Sequence, residues 1–319
     1  LIRTFGGHKD DVLDIALSSD GTQLFSGSSD GSAYLWNLQN GKILDEYDHG
    51  KLSVSALQVH GDKIYIGSFG RIGVFTWDLR QSSERKPFPD YYRQTNSMAL
   101  TPDKKYLLAA SFHDDGTIQI WDTISKTIVA TMKGHKKGIH KIIVSPDSKH
   151  AVTASRDGTV RIWSLESYLQ VKEIEVARQD VFDVIVTDDS QLFIALTKEE
   201  VFVGEIATGK IIKKFGLNLV RHHRSKKPWL KHIYYFSSFV RTMARILMKT
   251  ELEFNEVLKR IAISPDQKYI AVGGQSGVLR IWMLKSGKRV NTLQLHGDAI
   301  NKIIFTPDNQ LMITCSHDR

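Results

Sequence analysis

Short runs of β-branched and apolar residues, alternating with polar ones, recur along the whole chain, each set off by turn-forming residues. One set is complete: Ile139–Val144, His150–Ser155, Thr159–Leu165 and Gln170–Val176. Runs of this length and period predict half-buried strands, because successive side chains of an extended backbone point to opposite faces. Ser145-Pro146-Asp147 separates the first two runs. Pro presets φ for a tight turn, and Asp caps the turn with its own side chain. The same type of tripeptide stands at Ser18-Ser19-Asp20, Thr101-Pro102-Asp103, Thr187-Asp188-Asp189, Ser264-Pro265-Asp266 and Thr306-Pro307-Asp308, with His60-Gly61-Asp62 as a variant. That gives seven turns, mostly 42 to 44 residues apart.

A second signal runs in phase with the turns. His8, Asp30 and Trp36 recur as His135, Asp157 and Trp163, with 22 residues from His to Asp and six from Asp to Trp in both copies. His296 and Asp318 repeat the first gap, and the sequence then stops at Arg319. Four short strands in a repeat of about forty-two residues is the sequence pattern of a propeller blade.

Such a chain resembles the WD-repeat β-propeller family. The resemblance rests on Gly134-His135, Ser155-Arg156-Asp157-Gly158 and Arg161-Ile162-Trp163, with parallel copies at Gly7-His8, Ser29-Asp30-Gly31 and Trp36. Trp77-Asp78, Trp121-Asp122 and Ile281-Trp282 add to it. It implies an all-β, seven-bladed propeller, one domain over residues 1–319 with its last blade incomplete. Leu1–Phe5 would be the outer strand that closes the blade begun by Ala299–Phe305 and Gln310–Cys315. Individual blades drift from the pattern. The third keeps Asp115 and Trp121 but has Tyr91-Tyr92 in place of Gly-His, the fifth has Gly204 in place of Trp, and the sixth keeps Trp282 but has Ser276 in place of Asp.

One spacing breaks the rhythm. Thr187 and Ser264 lie 77 residues apart, about thirty-five more than a blade needs. The excess follows the strand Lys210–Phe215 and precedes Val257–Ser264. The same window holds Arg221, Arg224, Lys226, Lys227, Lys231, Arg241, Arg245 and Lys249 and, from Gly216 to Thr250, no acid. These eight account for the whole net charge of +8, since 43 basic residues stand against 35 acidic ones. Pro228 suits a helix first turn, and Trp229, Ile233, Phe236, Val240, Met243 and Leu247 follow at three- and four-residue steps. The stripe predicts an amphipathic helix of about twenty residues within a basic insert spanning 216–255. Four readings stay open for it: packing on the propeller, docking a protein partner, contacting nucleic acid, or lying on an anionic membrane surface. The partner-binding candidates are Arg221, Arg224, Lys226, Lys227, Trp229, Lys231, Arg241 and Arg245.

Composition adds little beyond that segment. Hydrophobic residues are 41% and charged residues 24%, ordinary for a globular protein. Cys315 is single, which excludes an internal disulfide and fits a reducing, intracellular compartment, cytoplasmic or nuclear, with cytoskeletal or ciliary assemblies among the candidates. No uncharged apolar run reaches eighteen residues, so no transmembrane segment is expected. The chain opens at Leu1 rather than Met, and the expectation is a piece of a longer protein.

Ser, His and Asp at regular spacing invite a hydrolase reading, in which a carboxylate-oriented base activates a hydroxyl. The family resemblance implies otherwise: the His, the turn Asp, a strand Ser or Thr and the Trp ring nitrogen form a buried hydrogen-bond network within a blade. Here that means His8, Asp30 and Trp36 with Ser26 or Ser28, then His135, Asp157 and Trp163 with Thr153 or Ser155, and finally His296 with Asp318. Gly273-Gly274-Gln275-Ser276-Gly277 lies between two strands, so it reads as a hairpin turn rather than a phosphate loop. His222, His223 and His232 lack an accompanying carboxylate or thiol, and no metal or other cofactor is expected. Trp77-Asp78-Leu79-Arg80 resembles the adaptor-docking signature of cullin-RING ubiquitin ligase receptors, although Arg71 stands where that signature wants an acid. The resulting expectation is a non-catalytic protein-interaction scaffold within a larger multiprotein assembly. The alternatives are an RNA-associated factor of a ribonucleoprotein or ribosome-biogenesis complex, and a ubiquitin-ligase substrate receptor docking through Trp77, Asp78 and Arg80.

Overall fold

The computed structural model describes residues 3–48, 50, 52–68, 73–80, 86–88, 94–112, 116–178, 180–216 and 256–318. Antiparallel strands follow one another in chain order. The first sheet is β1 (Val12–Leu17), β2 (Gln23–Ser28), β3 (Ser32–Asn37) and β4 (Ile43–Asp48), and the second is β5 (Val54–His60), β6 (Lys63–Ser68), β7 (Val74–Asp78) and the two-residue β8 (Lys86–Pro87). The third is β9 (Thr95–Leu100), β10 (Tyr106–Ser111), β11 (Ile118–Asp122) and β12 (Ile128–Met132), and the fourth is β13 (Ile139–Val144), β14 (His150–Ser155), β15 (Thr159–Ser164) and β16 (Gln170–Glu175). The fifth is β17 (Val181–Val186), β18 (Leu192–Thr197), β19 (Glu200–Glu205) and β20 (Ile211–Gly216), and the sixth is β21 (Leu258–Ile263), β22 (Tyr269–Gly274), β23 (Val278–Met283) and β24 (Arg289–Gln294). Finally β25 (Ile300–Phe305) and β26 (Met312–Ser316) pair alone.

The propeller therefore has six four-stranded blades, which corrects the expectation of seven. β25 and β26 make a two-stranded sheet lodged between the sixth blade and the first, where β25 touches both β21 and β1. Leu1–Phe5 adds no strand to it: residues 3–5 lie outside any strand, and residues 1–2 fall outside the described residues. An outer strand needs a third strand to bond to, and none is present among the described residues. Phe5 instead sets its ring edge-on to Trp36, 5.7 Å between centroids. No helix occurs among the described residues, and the helix expected in the insert lies at 217–255, outside them.

Local chemistry explains the turns. In six of them the Ser or Thr hydroxyl donates to the Asp two residues on and accepts the backbone N–H five residues on, as in Ser145 to Asp147 (2.5 Å) and His150 to Ser145 (3.0 Å). The geometry forces a left-handed backbone three residues after the hydroxyl. Lys104, Ser148, Ser190, Gln267 and Asn309 adopt it despite their side chains, and Gly21 takes it in the first turn. The hydroxyl is also the main reason that Asp20, Asp103, Asp189, Asp266 and Asp308 are held below the ordinary carboxylate pKa.

Core packing lies between neighbouring sheets. Val152, Val160 and Ile162 of the fourth blade meet Val184, Phe193 and Ala195 of the fifth, all essentially out of water. The fifth blade shows how a lost Trp is compensated. Trp163 pairs across the strands with the small Ala151, whereas Gly204 pairs with Phe193. A Cβ on Gly204 would come within 2.3 Å of the Phe193 ring, so the aromatic volume has moved from β19 to β18. Packing density is conserved by a large-for-small exchange across one ladder.

Polar side chains of the inner strands lock adjacent sheets together. The second carboxylate oxygen of Asp14 accepts the Leu57 N–H (2.8 Å), and that of Asp183 accepts the Ile261 N–H (3.0 Å). Asn96 donates to the His140 carbonyl (2.9 Å), and Asn301 donates to the Val12 carbonyl (2.8 Å). The last of these ties the two-stranded sheet to the first blade and closes the ring of inner strands.

Candidate functional site

The His–Asp spacing brings its residues together at one edge of each sheet that carries it. In the first blade the Trp36 indole N–H donates to Ser26 Oγ (2.8 Å), Ser26 Oγ lies 2.7 Å from His8 Nε2, and His8 Nδ1 lies 3.3 Å from Asp30 and 2.9 Å from Ser32 Oγ. In the fourth blade Trp163 donates to Thr153 Oγ1 (2.9 Å), Thr153 Oγ1 is 2.7 Å from His135 Nε2, and His135 Nδ1 is 2.9 Å from Asp157. His296 repeats the pattern with Thr314 (2.7 Å) and Asp318 (2.9 Å) on the two-stranded sheet. Ser28 and Ser155, the alternative hydroxyls, bond instead to the carbonyls of Asp10 (3.1 Å) and Gly138 (3.0 Å).

Counting donors fixes the direction of each chain. The indole can only donate, so the hydroxyl accepts it; the ionised carboxylate can only accept, so the proton facing it sits on His Nδ1, and in the neutral imidazole Nε2 is then bare and takes the hydroxyl's proton. Burial agrees: it depresses the pKa of His8 and His135 against the opposing pull of Asp30 and Asp157. Burial pushes the Asp30 carboxyl up, but the Ser32 hydroxyl, the Lys9 and Ser32 amides and His8 outweigh it and hold it at about 2. Asp157 meets the same competition and falls still lower.

The relay has the proton order of a hydrolytic triad, but its hydroxyl is unavailable. Thr153 is fully buried and Ser26 is 4% exposed, each with the indole N–H on its oxygen. A substrate carbonyl has no approach to either, so the constellation holds the edge of the sheet together. Each link that leaves a buried partner unsatisfied would cost about 1–3 kcal/mol if broken.

In the sixth blade an unforeseen residue supplies the carboxylate. Glu256, just ahead of β21, accepts the N–H of Ser276 (3.1 Å) and its hydroxyl. The same carboxylate lies 3.6 Å from Arg280 Nη2, and both side chains are almost completely buried. The turn residue that is Asp157 in the fourth blade is thus a donor here, and the acid reaches it from the preceding segment. A signal was present: Arg280 stands two residues before Trp282, as Arg161 does before Trp163, and a buried Arg needs an acid. Arg161 finds Glu173 at 3.1 Å on the outer strand, whereas position 292 of β24 is Thr.

The other singled-out residues scatter. Trp77 is buried, set 5.6 Å from Tyr47 and 6.3 Å from Phe25. Asp78 caps its own turn by accepting the Arg80 N–H (3.0 Å), and Arg80 pairs with Asp62 across that turn while remaining largely exposed. Trp77 therefore presents no face to a partner. Arg221, Arg224, Lys226, Lys227, Trp229, Lys231, Arg241 and Arg245, like Tyr91, Tyr92, Asp115, His222, His223 and His232, lie outside the described residues. Among the described residues no group of His, Cys, Asp and Glu has a metal-holding arrangement, and no helix is long and apolar enough to cross a membrane.

Comparison with known proteins returns one family. The WD domain, G-beta repeat family matches residues 1–37, 91–122, 126–164, 254–283 and 287–319. The unmatched stretches hold the second and fifth sheets, which form regular ladders nonetheless. Target of rapamycin complex subunit wat1 of Schizosaccharomyces pombe is 27% identical over 164 residues, 48% of this chain and 51% of that protein. The U3 snoRNP-associated protein-like EMB2271 of Arabidopsis thaliana is 27% identical over 157 residues, 42% of this chain and 32% of that protein. COMPASS component SWD3 of Saccharomyces cerevisiae is 25% identical over 143 residues, 42% of this chain and 45% of that protein. The chain spans about half the length, or less, of these curated relatives.

Proposed function

The chain belongs to the WD-repeat family, and from that premise we propose that it is a non-catalytic scaffold, a subunit that holds other proteins together in a larger assembly. The observation that carries this reading is the inward commitment of the His–Asp–hydroxyl–Trp relays. Side chains that could do chemistry are used to stiffen blade edges, leaving a rigid ring whose loops are free to differ in what they bind. The names of two relatives point the same way, one a subunit of a target of rapamycin complex and one a component of COMPASS. Its expected place of action is inside the cell, in the cytoplasm or nucleus.

Specificity, in this reading, belongs to the basic segment, with Arg221, Arg224, Lys226, Lys227, Trp229, Lys231, Arg241 and Arg245 contacting a protein partner. An uninterrupted excess of eight positive charges in an otherwise balanced chain favours an acidic partner surface, through steering and complementarity. RNA is the second reading, favoured by the same charge and by the U3 snoRNP-associated relative. Cross-linking mass spectrometry on the chain in native extract, with and without residues 218–250, tests both. Partner cross-links from lysines elsewhere on the chain that vanish on deletion support protein docking. Loss of those cross-links on ribonuclease treatment shifts the assignment to RNA, and an unchanged partner set after deletion overturns both.

A further inference from the structure

The seven innermost strands each place one residue at an equivalent register, just past an irregularity that all seven ladders share: Asp14, Ala56, Ser97, Lys141, Asp183, Arg260 and Lys302. They line a cavity of about 320 Å³ enclosed by the inner strands. Two residues further on the lining is mostly apolar, with Ile143, Ile185, Ala262 and Ile304, and Gln58 is polar. The polar level therefore holds three cations against two carboxylates.

The carboxylates are already committed. Asp14 accepts Lys302 Nζ (2.7 Å), the Leu57 N–H (2.8 Å) and the Ile15 N–H (3.0 Å). Asp183 accepts the Val184 N–H (2.9 Å) and the Ile261 N–H (3.0 Å). Arg260 gives Nε to the Asn301 carbonyl and Nη1 to that of Lys259 (3.1 Å), so it meets carbonyls and no carboxylate. Lys141 has neither a hydrogen-bond acceptor nor an ion-pair partner among the described residues. The Ser97 hydroxyl accepts the Ile142 N–H (3.3 Å) and keeps its own proton to give.

Lys141, Arg260 and Lys302 share the two carboxylates Asp14 and Asp183, so this level carries one more positive charge than negative, and a narrow channel focuses that field on whatever enters. We propose that the cavity binds a small oxyanion, the carboxylate or phosphate group of a metabolite-sized molecule, on the cavity side of Lys141 and Arg260, which flank Asp183, with the Ser97 hydroxyl as a further donor. The volume stands at the small end of ligand pockets, which run from about 300 to 1,000 Å³. Anion binding would complete the charge balance of the ring, and the apolar positions beyond it would receive the ligand's carbon skeleton. The site does not involve the basic segment, so it stands or falls separately from the scaffold reading.

Lys141 also supplies a pH signature. Burial, the charge of Lys302 and that of Arg260 lower its pKa to about 8 against the pull of Asp183 and Asp14. Anion affinity should therefore fall as pH rises through that value. The test is a titration of the full chain with sodium sulfate and with sodium acetate, followed by backbone amide NMR shifts at constant ionic strength, at pH 7 and pH 9.5. Both probes keep a constant charge over that range. Saturable shifts on the inner strands with either probe, weakened about tenfold or more in Lys141→Met and unchanged in Lys210→Met on the periphery, support the site. Shifts that never saturate, or equal affinity in a folded Lys141→Met, overturn it. Should Lys141→Met fail to fold, Lys141→Arg decides. Affinity that survives at pH 9.5 in that variant but falls in the parent supports Lys141 as the binding cation, and an equal fall in both overturns it.

Discussion

The fourth and sixth blades share strand lengths, register and a buried Trp at the same place in the third strand, yet they are held together by different chemistry. In the fourth, the carboxylate belongs to the turn residue Asp157 and reaches through His135 to Thr153 and Trp163. In the sixth, Ser276 occupies the turn, Val272 occupies the Thr153 position, and Glu256 brings the acid from the incoming chain. The arginine shared by both blades follows the acid. Arg161 reaches Glu173, which is 40% exposed, whereas Arg280 turns to the fully buried Glu256. In these two blades a carboxylate satisfies the turn N–H groups at the hairpin between second and third strands, supplied by a different segment in each, whereas the fifth blade uses the Thr197 hydroxyl at that hairpin.

The difference in burial makes the two acids unequal. Removing Glu256 breaks a buried ion pair on one side, which costs about 3–5 kcal/mol. Removing Asp157 leaves neutral donors unsatisfied, which costs about 1–3 kcal/mol. Urea unfolding of Glu256→Ala and Asp157→Ala should therefore rank the first as the more damaging. The reverse ranking would mean that Arg280 finds a second acceptor and that the sixth blade does not depend on its relocated acid.

What was legible from sequence follows the range of each interaction. The Ser/Thr-x-Asp turns bond within five residues of themselves, so their chemistry is written in consecutive letters. The His–Asp relays span 22 residues but repeat, and repetition made them visible. Glu256 and Ser276 are 20 residues apart and occur once, so nothing in the order of residues joined them. The Phe193–Gly204 exchange needed the β18–β19 register before the missing Trp acquired a meaning. Strand positions were readable for the two-stranded sheet as well. That sheet has only two strands among the described residues, so the propeller counts six blades rather than the seven expected. Trp77-Asp78-Leu79-Arg80 spans two environments that its letters do not distinguish: the Trp ring lies in the core, while Arg80 is largely exposed beside Asp62.

Moving the acid sharpens the comparison. Ser276→Asp in the native background sets a second carboxylate against Glu256 and should destabilise the chain. In the Glu256→Ala background it returns an acid to the turn, within reach of the same backbone N–H groups and of Arg280. The two substitutions should therefore couple favourably, by about 1–3 kcal/mol in a double-mutant cycle read from urea midpoints. Simple additivity would show that the two blades are not alternative solutions to one requirement.

The smallest effect separates the blades by pH. His135 is neutral and buried, with its pKa below the ordinary value, chiefly through burial. In the unfolded chain it takes up a proton near pH 6.5. Between its folded pKa and 6.5 the unfolded state binds a proton that the folded state does not, so stability is complete above 6.5 and declines as the pH falls below it. His8 and His140, also depressed by burial, act in the same direction, and Asp30, at about 2 when folded, adds a separate loss between about pH 4 and 2. Residues 256–294 contain no histidine, so no imidazole of the sixth blade takes part. Unfolding free energies at about pH 7.5 and 5.5 should differ in the parent chain, with a ceiling of about 1.4 kcal/mol per pH unit for each histidine. The difference should shrink in His135→Gln, which keeps an amide donor and acceptor but cannot titrate. A parent-like pH dependence in His135→Gln would mean that the fourth-blade imidazole is already protonated when folded, with His135 Nε2–H donating to the Thr153 hydroxyl rather than accepting from it.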